Sequence, residues 1–377
     1  LVCPTLISMA LVPPYIASLR PYEAGRGIDE IKRIYGLSRV VKLASNENPL
    51  GPSPRAAKAI QKELAGLNRY SPGGLELRRA LAARFDTRLD NVIAGSGSEG
   101  ILSNIIRTFL CDDDEVLTLD ATFIGFRVIA QSRGVAYRTV PHRDYSFDLE
   151  DLAAAITEKT KIIYLANPNN PTGTIFTRAE FEAFYQRVPA RVLIILDEAY
   201  LEYVRPEVSY PDSMTYRLDN VITLRTFSKI HGLAGARIGY GFAHEDLIDD
   251  LLKVKLAFEP STLAQAAGIA ALEDRDFVTR SFQLNQSTLA KLTAGLRAMG
   301  LTVLPSNANF VMLDMGTRKA ADSFVNSLLE CGVIIRPLAA FGLPHCVRIS
   351  TGTEEEIEFC LEAISQIGDR KAELVLR

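Results

Sequence analysis

Between about residues 90 and 245, short apolar runs alternate with stretches of helical periodicity. The runs are rich in Val, Ile and Leu without strict polar alternation, as in residues 192–196. Strands with this composition are buried on both faces. Strands and helices in regular alternation predict an α/β layer fold around a mainly parallel sheet. The predicted strands are 91–94, 115–119, 161–166, 191–196, 221–224 and 239–243.

After about residue 262 the pattern changes to longer helices and fewer, shorter strands. Helices are expected at 261–272 and 280–299, and strands at 309–313, 333–336 and 346–350. The last helix opens with Thr353 and Glu356 at capping-box spacing. These features predict three parts: an N-terminal arm (1–40) that contributes to the small domain, a large domain (41–262) and a small α+β domain (263–377).

The composition of the chain argues against some classes of function. Among 377 residues, 42 Lys and Arg stand against 45 Asp and Glu, a net charge of −3. Such a chain has no excess of basic residues for nucleic acid or an acidic membrane. The five cysteines are an odd number with no CxxC pair, which favours reduced thiols and a cytoplasmic location. Residues 1–19 are uncharged but interrupted by prolines, so we expect an extended arm rather than a signal peptide or membrane span.

Two charged side chains follow predicted buried strands. Asp197 ends the run 192–196, and Lys229 follows the strand 221–224. Parallel sheets bind ligands at the carboxyl ends of their strands. A carboxylate there needs a cationic partner, and a desolvated lysine amine can form a covalent imine. The alternatives are a helix N-cap for Asp197 and a solvated surface loop for Lys229.

Further groups with complementary chemistry lie near these two in the sequence. Tyr200 and Asn170 can hydrogen bond to a phenolic oxygen, although Asn-Pro-Thr-Gly is also a turn sequence. Arg237 offers a guanidinium. Phe126 can stack on an aromatic ring, although an aromatic residue at such a position is more often part of the core. Hydroxyl and backbone groups that suit a phosphate come from Gly97, Ser98, Thr226 and Ser228. This set fits pyridoxal 5′-phosphate (PLP), an aldehyde that is held covalently and anchored by its phosphate.

The glycine-rich turn 95–100 has a second interpretation, a dinucleotide-binding loop. Its spacing is not GxGxxG, and no acidic residue ends a second strand in the ribose-binding place. In the small domain, Arg336 and Arg348 occupy predicted strands. Buried arginines need anions, so the pair predicts either a substrate-anion site or two structural salt bridges.

The chain resembles the fold-type-I, PLP-dependent aminotransferases, and among them most the histidinol-phosphate aminotransferase family. The matching segments are 20–23, 43–51, 68–70, 97–100, 169–173, 197–200, 226–237 and 347–352. The resemblance implies the PLP-dependent transferase fold, with a mainly parallel seven-stranded sheet in the large domain and a smaller α+β domain. It also implies a homodimer with shared active sites.

By this resemblance, Lys229 binds PLP covalently and later moves the proton between the substrate Cα and the cofactor. Asp197 pairs with the pyridine nitrogen, and Tyr200 and Asn170 bind the ring oxygen. Tyr70 is expected to reach the phosphate of the other subunit's cofactor. Phe126 takes a ring-stacking position at which the family commonly has tyrosine. The resemblance further implies a phosphate site of Gly97, Ser98, Thr226, Ser228 and Arg237, and substrate-binding roles for Tyr22, Asn46, Arg336 and Arg348.

The resemblance implies transamination between L-histidinol phosphate and 2-oxoglutarate, a step of histidine biosynthesis. Its partners are then a small amino donor and a 2-oxo acid. Aromatic amino-acid aminotransferases and threonine-phosphate decarboxylases share these motifs and stay as alternatives. A non-catalytic PLP- or nucleotide-binding regulator is the alternative from another class. Against it, no basic helix-turn-helix precedes the motifs.

Overall fold

A computed structural model of the chain describes residues 11–19 and 26–375. Its helices are α1 Pro14–Ala17, α2 Ile28–Tyr35, α3 Pro54–Glu63, α4 Leu75–Arg84, α5 Gly97–Phe109, α6 Ile124–Arg133, α7 Leu149–Ala154, α8 Arg178–Tyr185, α9 Glu245–Val254, α10 Thr262–Glu273, α11 Arg275–Ala298, α12 Arg318–Glu330 and α13 Glu354–Val375. Its strands are β1 Val41–Lys42, β2 Val92–Gly95, β3 Glu115–Leu119, β4 Ala136–Val140, β5 Thr160–Ala166, β6 Leu193–Asp197, β7 Val221–Thr226, β8 Gly239–Phe242, β9 Thr302–Val303, β10 Phe310–Asp314, β11 Val333–Ile334, β12 Arg336–Pro337 and β13 Cys346–Ser350.

The large domain is built on a seven-stranded sheet of order β2-β8-β7-β6-β5-β3-β4. Strand β8 is antiparallel to both of its neighbours, and the other pairs are parallel. The predicted α/β class and mainly parallel sheet are therefore confirmed. Strand β4 was not among the predicted strands; it lies at the edge of the sheet and has only one buried residue. An edge strand lacks the continuous apolar run that identifies a central strand.

Helices cover both faces of this sheet, so adjacent residues of one strand enter different apolar clusters. Ile195 packs with residues of α5, α6 and α9, whereas Ile194 packs with residues of α7 and α8. This arrangement explains why the central strands show no polar alternation. It also leaves the carboxyl ends of β5, β6 and β7 side by side at one edge.

The small domain contains the antiparallel sheet β12-β13-β10-β9, covered by α11, α12 and α13. The N-terminal segment completes it, because β1 pairs in parallel with β11. The predicted capping box forms at the start of α13, where Thr353 N donates to Glu356 and Glu356 N donates to Thr353 Oγ1 at 3.2 Å. Ile357, Cys360, Ile364 and Ile367 of α13 are buried in the small-domain core.

The first helix after the predicted boundary at residue 262 packs against the large domain. Helix α10 packs against α3, and Ala264, Ala267 and Ala271 join the large-domain cluster around Phe227. The chain passes into the small domain along α11, whose Leu292 lies in the small-domain core. Small side chains allow α10 to approach the large domain closely, a packing choice that helical periodicity does not reveal. Among the described residues, no helix is both long and apolar enough to cross a membrane.

Candidate active site

A cavity of about 610 Å³ lies where the carboxyl ends of the parallel strands meet the small domain. Its wall is formed by residues that are far apart in the sequence. Most of the predicted site residues line it: Asn46, Ser98, Asn170, Asp197, Tyr200, Thr226, Ser228, Lys229, Arg237, Arg336 and Arg348.

Lys229 lies three residues beyond the end of β7, with its side chain in the cavity wall. Its Nζ donates to the backbone oxygen of Ser45 at 3.5 Å and lies 5.4 Å from the centroid of the Tyr200 ring. The following turn requires Gly232, which has φ +68° and whose Cβ would meet Gly51 O at 2.0 Å. The close approach of these two loops fixes the backbone that presents the Lys229 amine to the cavity.

Asp197 is the last residue of β6 and is only 5% exposed. Its Oδ2 accepts a hydrogen bond from the Tyr164 hydroxyl at 2.7 Å, and its Oδ1 accepts one from Ala199 N at 3.2 Å. Burial raises the pKa of this carboxyl to about 6, although both hydrogen bonds and the Lys229 charge act in the opposite direction. A buried carboxylate at a cavity wall is stabilised by a cationic ligand, and a protonated pyridine nitrogen meets that need.

Tyr200 and Asn170 are fixed by contacts that bridge the two domains. The Tyr200 hydroxyl accepts from Asn46 Nδ2 at 2.9 Å, and Asn46 Oδ1 accepts from Ser350 Oγ at 2.7 Å. Asn46 has φ +55°, a strained value for a residue with a side chain. Asn170 Oδ1 accepts from Arg348 Nη1, which makes Nδ2 the donor end of the amide.

An anion cradle lies at the other side of the cavity, where α5 begins. The side chain of Ser96, the N-cap, makes no capping hydrogen bond to any described residue, so the first N–H groups of α5 are available. Gly97 has φ +78°, and its missing Cβ would lie 2.9 Å from Arg237 Nη2. The Thr226 hydroxyl donates to Ser228 Oγ at 3.0 Å. Helix N–H groups, hydroxyls and a guanidinium are the donors that a phosphate requires.

Glycine brings these groups together across the sheet. A Cβ at Gly239 would meet Ser98 N at 2.3 Å, so β8 approaches the first turn of α5 more closely than any other residue allows. Glu99 Oε2 accepts from Arg237 Nη2 at 3.3 Å in the described structure. The donor set as a whole fits PLP: a cradle for its phosphate, a carboxylate for its nitrogen and an amine for its aldehyde.

The prediction that Phe126 stacks on the cofactor ring does not fit the structure. Phe126 is completely buried and stacks on Tyr164, with ring centroids 4.1 Å apart and planes 10° from parallel. Of the two phenylalanines, Phe123, immediately before α6, lines the cavity. Both phenylalanines follow β3, and the sequence does not show that the first turn of α6 directs Phe126 into the core.

Arg336 and Arg348 lie directly opposite each other on the antiparallel strands β12 and β13. Arg348 is 5% exposed, donates from Nη2 to Ala44 O at 2.8 Å and lies 5.2 Å from the Phe310 ring centroid. Two guanidinium groups on one wall of a cavity can bind an anion through charge-assisted hydrogen bonds. The pair therefore forms the cationic end of the cavity.

Besides Phe126, the predicted site residues Gly97 and Tyr70 do not line this cavity. Tyr70 is 82% exposed and stacks on Phe258, with ring centroids 4.3 Å apart. Its predicted role is to contact the cofactor phosphate of a second subunit. Tyr22 lies outside the described residues. The structure adds Tyr164, Phe123 and Glu99 to the cavity wall, and the sequence predicted a role for none of them, although Glu99 lies in the glycine-rich turn 95–100.

Comparison with known proteins gives the family. The family model described as aminotransferase class I and II matches residues 38–364. The chain belongs to this family. Its members depend on PLP, so the protein is a PLP-dependent aminotransferase, in agreement with the donor set of the cavity.

The aminotransferase has close relatives among curated proteins and solved structures. It is 42% identical to the histidinol-phosphate aminotransferase of Anaeromyxobacter sp. (strain Fw109-5), over 95% of this chain and 99% of the relative. Histidinol-phosphate aminotransferase 1 of Nitrosococcus oceani is also 42% identical, over 90% and 92% of the two chains.

Solved structures show the same fold. The histidinol-phosphate aminotransferase of Sinorhizobium meliloti in complex with PLP matches with a TM-score of 0.86 and 31% identity, over 96% of this chain and all of the other. A double mutant of Thermus thermophilus aspartate aminotransferase matches with a TM-score of 0.83 and 25% identity, over 94% and 99%. The fold is thus shared by enzymes named for different substrates, and substrate choice depends on particular side chains.

Proposed function

We propose that the aminotransferase transfers the amino group of L-histidinol phosphate to 2-oxoglutarate, giving imidazole-acetol phosphate and glutamate. The observation that carries this proposal is the opposed pair Arg336 and Arg348 in a cavity that also contains the PLP donor set. The names of the relatives described above support the same substrate.

The residues of the large domain hold the cofactor and move the proton. Bound PLP supplies an electron sink for the negative charge that remains when the substrate Cα loses its proton. Lys229 would hold the cofactor covalently, and its Nζ would serve as the base that takes the proton from the substrate Cα. Asp197 keeps the pyridine nitrogen protonated. Phe123, rather than Phe126, packs against the ring.

The remaining large-domain contacts orient PLP. Tyr200 and Asn170 bind the ring oxygen, while the α5 N-terminus with Ser98, Thr226, Ser228 and Arg237 holds the phosphate.

The small domain selects substrates by their anionic end. A phosphate carries close to two negative charges at neutral pH, which matches two guanidinium groups, and arginine binds phosphate in a bidentate manner. Arg348 also receives the α-carboxylate of glutamate in the second half-reaction. One site therefore serves both substrates, with Asn46 and Tyr22 as the further expected contacts.

The substrate is tested by comparing kcat/KM for L-histidinol phosphate, L-histidinol and phenylalanine with 2-oxoglutarate as acceptor. We expect histidinol phosphate to be strongly preferred, and Arg336→Gln to reduce the preference for it over histidinol. The control is Arg318→Gln, which changes an exposed arginine in α12. If phenylalanine is the better donor, the protein is an aromatic amino-acid aminotransferase. Release of carbon dioxide from threonine phosphate instead indicates the decarboxylase.

We further propose a cytoplasmic homodimer in which Tyr70 of each subunit reaches the cofactor phosphate of the other. The exposed Tyr70 and Phe258 stack on one another, and Leu67 and Leu256 are also exposed, which is the composition of a subunit interface. A mixture of the inactive variants Lys229→Ala and Tyr70→Ala tests this arrangement. After subunit exchange, shared sites restore activity in mixed dimers, whereas sites built from one chain do not.

A further inference from the structure

Tyr164 is a buried residue of β5 that none of the proposed steps uses. Its side chain has no exposed surface, yet it forms part of the cavity wall. Its ring is fixed face to face on Phe126, and Thr118 Oγ1 donates to its backbone oxygen at 2.7 Å. Because the ring is held in this way, the hydroxyl points toward Asp197, and its oxygen lies 2.7 Å from Asp197 Oδ2.

The direction of this hydrogen bond follows from the surroundings. Burial and the negative charge of Asp197 raise the pKa of Tyr164 well above its ordinary value, so the phenol keeps its proton and donates it. The donated hydrogen bond makes Asp197 a weaker base, because it stabilises the ionised carboxylate. The charged residues that act on Asp197 are Lys229 and Glu198, and only Lys229 acts in the same direction as Tyr164.

We propose that Tyr164 is a positioning residue that keeps the proton shared between Asp197 and the cofactor's pyridine nitrogen on the nitrogen. This inference rests on the proposed pairing of Asp197 with that nitrogen. A carboxylate without the phenol hydrogen bond competes more strongly for the shared proton. A ring nitrogen that loses the proton is a poorer electron sink, so the loss slows proton removal from the substrate and leaves substrate binding unchanged.

The test is Tyr164→Phe, which removes the hydroxyl and keeps the ring against Phe126. The enzyme is loaded with PLP labelled with ¹⁵N in the ring, and the nitrogen resonance is measured before any substrate is added. We expect the resonance to move from the protonated toward the unprotonated position. In steady state, we expect kcat to fall about 10-fold with KM unchanged, the size expected for one hydrogen bond to a charged group. Tyr240→Phe is the matched control, because it removes a buried tyrosine hydroxyl on β8.

Asp197→Asn separates this inference from the one on which it rests. If Asp197→Asn moves the ¹⁵N resonance and Tyr164→Phe does not, the role of Tyr164 is wrong and the pairing stands. If neither variant moves it, the pairing itself is wrong. If Tyr164→Phe does not fold or bind PLP, 4-aminophenylalanine at position 164 supplies a weaker donor of similar size. A partial shift of the resonance then supports the proposal, and a resonance identical to that of the wild type overturns it.

Discussion

The two ends of the cavity are built differently. At the cofactor end, Asp197 and Lys229 follow the buried parallel strands β6 and β7, and their positions are set by the sheet. At the substrate end, Arg336 and Arg348 lie on antiparallel strands of the small domain and face each other as like charges. The first arrangement suits one cofactor, whereas the second provides two guanidinium groups that can bind the anionic end of a substrate. We therefore expect the chemistry to depend on the large domain and substrate choice on the small one.

Two contacts join the two ends of the cavity. Arg348 donates to Asn170 Oδ1 from the substrate end, and Asn170 belongs to the proposed cofactor contacts. Asn46 makes a second connection, from Ser350 of β13 to Tyr200. Variants at each end, and at these connections, measure how independent the two ends are.

The largest effect is expected at the cofactor end. Lys229→Ala removes both the covalent attachment and the base, so we expect kcat to fall by on the order of 10⁴-fold. Borohydride treatment should also no longer fix PLP to the protein. The control is Lys253→Ala, which removes an exposed lysine of α9. Turnover near the wild-type rate in Lys229→Ala contradicts the assignment of this residue.

Without the cofactor, the buried carboxylate of Asp197 is expected to destabilise the folded protein. In the apoprotein, burial raises the pKa of Asp197 from 3.8 to about 6, so the folded state binds more protons than the unfolded chain between these pH values. The unfolding free energy contributed by this group therefore falls as pH rises through that window. We expect apo Asp197→Asn to become more stable than the wild type as pH rises, by at most about 3 kcal/mol above pH 6.

Denaturant unfolding of both apoproteins at a series of pH values measures this difference. Loading with PLP should abolish or reverse the advantage of the variant, because the pyridine nitrogen then pairs with the carboxylate. A stability difference that does not change with pH shows that Asp197 is already ionised in the folded apoprotein.

The arginine pair is expected to give intermediate effects that distinguish its members. Arg336→Gln should raise KM for histidinol phosphate about 10- to 100-fold with kcat unchanged, since it loses charge-assisted hydrogen bonds to the substrate. Arg348→Gln should raise KM similarly and also lower kcat, because it releases Asn170. Steady-state kinetics with both substrates varied gives these constants. Identical kinetic changes in the two variants contradict a coupling through Asn170.

The smallest effect concerns the two phenylalanines. Phe123→Leu should weaken PLP binding about 3- to 10-fold through the loss of stacking, and leave the stability of the apoprotein nearly unchanged. Phe126→Leu should do the reverse, because its ring lies in the core and not in the cavity wall. Titration with PLP and thermal unfolding of the apoprotein give the two quantities. If Phe126→Leu alone weakens PLP binding, the original assignment to Phe126 is right.

These residues show which features of the site a sequence predicts. Asp197 and Lys229 were predictable because a charged residue after a buried strand has few stable environments, and parallel strands bring such residues to one edge. Tyr164 was not, since a tyrosine inside an apolar strand looks like core, and its hydrogen bond joins β5 to the end of β6. The choice between Phe123 and Phe126 depends on where α6 begins, and helix boundaries are poorly determined by sequence.

The prediction of the fold from the sequence was limited in the same way. The central strands were predicted from their apolar composition, whereas the edge strand β4 lacks that signal. Helix α10 was assigned to the small domain because the sequence pattern changes after about residue 262, and its periodicity does not show that its alanines pack on the large domain.

The most direct test of the central claim is a half-reaction without acceptor. PLP-loaded protein is mixed with L-histidinol phosphate alone, and the cofactor's absorbance is followed. We expect conversion of PLP to pyridoxamine 5′-phosphate, and no conversion in Lys229→Ala. If bound PLP does not respond to histidinol phosphate but is converted by phenylalanine or tyrosine, the cofactor assignment stands and the proposed substrate is wrong.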